Sequence, residues 1–169
     1  QARAVVRTAV NSISTQAREM VYEANKSLIK GVQMVATLDG RTSPFCRNID
    51  GKVFDVGEGP RPPFHVNCRT ATVPIVRSLR ELGIADIGRM APSTRASMNG
   101  QVSASLNYPE WFRQQGSSFQ REVLGAKRYR MYKGGLTNVT RFADRDGRLY
   151  TLPELYGREG SIAKAVNLV

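Results

Sequence analysis

Val32-Gln33-Met34-Val35-Ala36-Thr37-Leu38-Asp39-Gly40 decides the reading of this chain. Val32, Met34, Ala36 and Leu38 alternate with Gln33, Val35 and Thr37, the two-residue period of a strand with one well-buried face. Asp39-Gly40 supplies a turn after it. Upstream the period changes. Val6, Val10, Ile13, Ala17, Met20, Ala24 and Leu28 recur every three or four residues, the stripe of an amphipathic helix, with Arg3, Arg7, Arg18, Glu19, Glu23 and Lys26 largely on the other face. Lys30-Gly31 is the cation and stop expected at the helix end. A long helix feeding a strand points to an α+β fold. The stripe is expected to pack on the domain's own core, with a partner helix as the alternative that its length allows.

Downstream, Asp50-Gly51 before Lys52-Val53-Phe54 reads as a short hairpin, and Pro60, Pro62 and Pro63 mark an irregular loop. Thr70 to Val76 is β-rich, but Pro74 restricts it to an edge strand or a strand end. Ser78 to Leu82 has room for one or two helical turns. Residues 91–106 lack a period and read as a loop or linker. Beyond it, Asn107 with Pro109 and Glu110, Ser117 with Gln120, and Thr151 with Glu154 are helix-start patterns, and Gly134-Gly135 is a stop. Asp146-Gly147 lies between Arg141-Phe142-Ala143 and Arg148-Leu149-Tyr150, a second hairpin pattern. The expected organisation is a core over residues 1–90, the linker, a helical extension with a hairpin over 107–160, and a mobile tail over 161–169.

The chain has 169 residues and a formal net charge of +11, with arginine supplying 19 of its 25 cations. The positive excess is shared by both halves, so no single tail carries it. A hydrophobic content of 41% is too high for a disordered polycation. No apolar run approaches the ~20 residues of a membrane span. The start, Gln1-Ala2-Arg3, has neither an initiator Met nor an apolar leader and reads as an excised or processed segment. A basic balance of this size favours polyanionic partners, of which nucleic acid is the commonest.

Cys46, His65 and Cys68 are the only cluster with metal-ligand character. His65-Val66-Asn67-Cys68 separates two donors by two residues, and the turn-rich segment returns Cys46 towards them. Asp39, Asp50 or water would complete a tetrahedron. The competing reading makes both cysteines small buried hydrophobes beside a hydrogen-bonded imidazole. Lys127-Arg128-Tyr129-Arg130-Met131-Tyr132-Lys133 interleaves cations with aromatics as a nucleic-acid surface would, and equally as a solvated helix face would. Trp111, Phe112 and Phe119 read as core anchors. With one histidine and neither a phosphate loop nor a dinucleotide fingerprint, no catalytic motif is specific.

The run from Ala36 to Cys46, then Asp50-Gly51-Lys52-Val53, then Pro62-Pro63-Phe64-His65-Val66-Asn67-Cys68-Arg69, resembles the phage Mu F-like minor head proteins, also called head morphogenesis proteins. Tyr108-Pro109-Glu110-Trp111-Phe112, Phe119 to Gly125, Arg141-Phe142 and Asp146-Gly147-Arg148 are similar to the downstream part of many members. The resemblance implies a minor virion component of a tailed phage, assembled in the bacterial cytoplasm. It implies a place near the portal, a role in head assembly, DNA packaging or ejection, and portal, major capsid protein and nonspecific duplex DNA as partners, with no membrane or small-molecule substrate. It also implies a zinc site at Cys46, His65 and Cys68, which Asp39, Asp50 or water would complete. Some members carry an additional Cys where this chain has Ser43. Two alternatives stand beside this reading: a nuclease or nucleotide-using transferase with His65 in its active site, and a portal-docking adaptor whose first helix is the partner surface.

Overall fold

The computed structural model describes residues 2–84 and 93–168. The chain forms two compact units, one of residues 1–37 and 49–105, the other of residues 38–48 and 106–169.

In the first unit, α1 (Ala2–Ala24) ends earlier than Lys30-Gly31 would have it. The Asn25 side chain donates to the Val21 carbonyl at 2.8 Å and the backbone turns there. β1 (Ile29–Val35) follows, flanked by β2 (Val53–Phe54) and β3 (Ala71–Val76) in an antiparallel sheet of order β2-β1-β3. Val32 lies opposite Phe54 on one side and Pro74 on the other. The alternation holds, with Val32, Met34 and Ala36 buried. Gly31 admits β2, since a Cβ there would lie 2.8 Å from Val53 Cγ1. Pro74 is on an edge strand, where its missing N–H costs no ladder bond. The Asp50-Gly51 turn does lead into β2, but the strand's partner is β1. The residues before the turn form the short helix α2 (Pro44–Ile49). Residues 78–84 make hydrogen-bonded turns closed by Leu82 N–H to the Ser78 carbonyl.

α1 sits the opposite way round from the expectation. Its apolar stripe is exposed, and the side turned inward carries Thr8, Asn11, Thr15, Glu19 and Tyr22. The reason is hydrogen bonding by Asn11 and Tyr22 together with an ion pair at Glu19. Tyr22 Oη donates to the Thr72 carbonyl at 3.1 Å, Asn11 Nδ2 to the Cys68 carbonyl at 2.8 Å and the Thr70 carbonyl at 3.3 Å, and Glu19 pairs with Arg61 Nε at 2.7 Å. A polar stripe is stably covered when each group finds such a partner.

Where a linker was expected, β4 (Thr94–Ser97) and β5 (Gly100–Ser103) form a hairpin; residues 91 and 92 lie outside the described residues. Arg95 anchors it. Its guanidinium grips Asp50 through two contacts of 2.7 and 3.0 Å and also donates to the Ala36 carbonyl, while Ala36 N–H donates to Asp50 Oδ1 at 2.7 Å. Both side chains are buried.

The second unit is helical: α3 (Tyr108–Arg113), α4 (Ser117–Leu124), α5 (Ala126–Lys133), a 3-10 turn (Val139–Phe142), α6 (Leu152–Arg158) and α7 (Gly160–Ala165). The Asn107/Glu110 and Thr151/Glu154 boxes form as read, and Gly134 ends α5. Ser117 does not cap α4. Gly116 holds that position, and Gln120 instead buries its amide against the Phe112 carbonyl at 2.9 Å. Trp111 and Phe112 are core residues with Tyr108, Met131, Leu136, Phe142 and Leu155, and Phe119 is half-buried against them. Tyr108 and Phe112 stack at 6.1 Å, and Tyr132 meets Phe112 edge-on at 5.5 Å. The second hairpin contracts to one bridge, Ala143 to Leu149, because Val139–Phe142 coils instead of extending. The expected mobile tail is largely α7, with Ala163 fully buried.

Candidate metal centre and basic helix

His65-Val66-Asn67-Cys68 is a tight turn closed by Cys68 N–H to the His65 carbonyl at 3.1 Å. Asn67 takes the left-handed conformation (φ 59°), which asparagine tolerates better than most side chains. The preceding Pro62-Pro63 peptide is cis. Two residues of α1 pin this turn: Thr8 Oγ1 accepts from Asn67 N–H at 3.0 Å, and Asn11 holds the Cys68 carbonyl. His65 is exposed and Cys68 buried. With His65 Nδ1 2.9 Å from the Val66 carbonyl, a proton on Nδ1 leaves the ring's lone pair on Nε2, the arrangement common to ligating histidines.

Cys46 is buried on α2, its N–H donating to Ser43 Oγ at 3.3 Å. The loop before α2 is fixed by Arg47, which donates to the Thr42 carbonyl at 2.7 Å and the Gly40 carbonyl at 3.2 Å and lies over the Tyr108 ring. Burial lowers the Arg47 pKa from its ordinary value, opposed by Tyr108 and Asp39. Asp39 closes the same loop, accepting from Arg41 N–H at 2.9 Å and the Thr42 hydroxyl at 3.2 Å.

Cys46 belongs to the second unit and His65 and Cys68 to the first, and among the described residues neither acidic candidate is grouped with them. Asp50 is taken by Arg95. Neither Cys46 nor Cys68 is in a disulfide. Two thiols and an imidazole are a donor set of the zinc type, so the residues fit that ion.

Of the run Lys127 to Lys133, the structure presents Lys127, Arg130 and Lys133 outward at three-residue spacing on α5. Arg128 and Tyr129 are half-buried, with Arg128 donating to the Tyr150 carbonyl at 2.8 Å, and Arg130 donates to the Val166 carbonyl. Tyr132 belongs to the aromatic core, where burial raises its pKa, and its ring is not presented for stacking.

Sequence reasoning missed Thr8 and Asn11, whose partners stand more than fifty positions away. It also missed a cavity of about 270 Å³ in the second unit, where Arg41, Arg47 and Arg128 meet Val123, Phe142 and Leu149. Their separation along the chain leaves no local signal.

No helix among the described residues is long and apolar enough to cross a membrane. No curated protein and no solved structure matches the chain. The family model described as phage Mu protein F like protein matches residues 1–73, the stretch that holds α1, β1 and all three members of the Cys/His/Cys group. Over those 73 residues, less than half of its length, the chain is similar to the phage Mu protein F-like family.

Proposed function

We propose that the chain is a minor head protein of a tailed phage, a virion component acting in head morphogenesis near the portal. The observation that carries this reading is the family match over residues 1–73, whose span includes the Cys/His loop. The net charge of +11 supports contact with packaged DNA or with acidic faces of portal or capsid protein. In this reading Lys127, Arg130 and Lys133 meet phosphates.

Cys46, His65 and Cys68 hold zinc, with a water as the fourth ligand. Such an ion supplies a structural cross-link. The chain's own contribution is the turn that Thr8 and Asn11 hold in place. Metal analysis of the purified protein should find one zinc per chain, lost together with thermal stability in Cys68→Ala. A metal-free protein would overturn the zinc reading. For the larger assignment, mass spectrometry of purified particles should detect the chain, and the portal protein should co-purify with it. Particles lacking the chain would overturn it.

A further inference from the structure

The outward face of α1 is ordered as a seam. Val6, Ile13 and Met20 occupy one position of a seven-residue repeat and Val10, Ala17 and Ala24 the other, the 3-4 spacing by which two helices pack knobs into holes. Val6, Val10, Ile13 and Met20 are each 57–74% exposed, and Val5 and Val21 flank them in the open. The three core positions of an ordinary surface helix are here turned to solvent, while the inward side is held by the bonds of Asn11, Glu19 and Tyr22. A 23-residue helix runs about 34 Å, enough for three repeats.

We propose that this seam binds the α1 of a second copy of the chain, antiparallel. Side-chain volume argues for the partner and the direction. With the two helices aligned so that Ile13 faces Ala17 of the other copy, Val6 faces Ala24 and Met20 faces Val10. All six seam positions are then paired, and each bulkier residue meets a smaller one, the alternation that lets layers interdigitate. Charge argues the same way. Arg3 and Arg7 stand at one end of α1 and Glu23 at the other. A parallel pair would crowd the four arginines together, whereas an antiparallel pair separates them, lays Arg7 beside Glu23, which Lys26 already pairs at 3.3 Å, and opposes the helix dipoles favourably.

The test is the solution mass of the purified chain by sedimentation equilibrium or light scattering across a concentration series. The expected result is the mass of two chains at high concentration, dissociating on dilution. Ile13→Asp should give one chain at every concentration, with the circular dichroism and melting temperature of the dissociated parent, since Ile13 is 67% exposed. Direction is read from disulfides. Val10→Cys mixed with Met20→Cys should cross-link, and neither variant should do so alone. A parent chain that stays monomeric at its highest attainable concentration would overturn the proposal. So would an Ile13→Asp variant that still dimerises, and homodimeric cross-links of Val10→Cys would overturn the direction.

Discussion

Arg95 and Asp50 show how much one residue holds here. Their buried two-point contact ties the β4-β5 hairpin to the end of β1, and Ala36 contributes both its N–H and its carbonyl to the same knot. Removing one partner of such a pair leaves an uncompensated charge in the interior, at a typical cost of about 3–5 kcal/mol. Arg95→Leu is therefore expected to lower the denaturant midpoint strongly, and Asp50→Asn added to it should recover part of the loss. Asn11 is a milder case. Asn11→Ala strands two carbonyls, those of Cys68 and Thr70, and should cost about 1–2 kcal/mol by chemical denaturation. Thr72 runs the other way. Its hydroxyl is buried without a hydrogen-bond partner, although its carbonyl is taken by Tyr22. Thr72→Val keeps the β-branched shape and removes that burden, so the melting temperature should rise by about 2–4 °C for a gain of about 1 kcal/mol.

Among the elements, α6 depends most visibly on protonation. Glu154 accepts from the Thr151 backbone and hydroxyl and pairs with Arg148 at 3.1 Å, and these contacts lower its pKa to about 2, with Arg148 the largest cause and Thr151 next. A carboxylate depressed in the folded state contributes stability that is present above its ordinary value near 4.5 and lost as pH falls towards 2. The amide signals of the first turn of α6 should accordingly lose protection across that interval, and Glu154→Gln should flatten the dependence. This start was legible in the sequence because its cause is local, as were the Asn107 cap, the Gly134 stop and the alternation of β1. The Ser117 pattern misled because Gln120 had a stronger claim in the Phe112 carbonyl. The β4-β5 hairpin was invisible since its anchor, Asp50, is 45 positions from Arg95. The site divides in the same way. Cys46, His65 and Cys68 could be read from residue type and spacing, whereas Thr8 and Asn11 belong to it only through the packing of α1. Periodicity located the faces of α1, but it carries no information about which face is covered.

For the whole molecule, the even spread of charge sets the expectation for duplex DNA. Binding should be independent of sequence and weaken steeply with salt, and replacing Lys127, Arg130 and Lys133 together by Ala should reduce the slope of log K against log salt by up to about 2.7. A slope unchanged by the triple replacement would move the contact elsewhere. The inward side of α1 has a consequence at this scale too. The carbonyls of Cys68, Thr70 and Thr72 are alternate groups along and just before β3, and α1 occupies all three. β3 is the last strand of its sheet, and those are the groups on which a foreign strand would add. α1 thus acts as a guard against edge-to-edge aggregation.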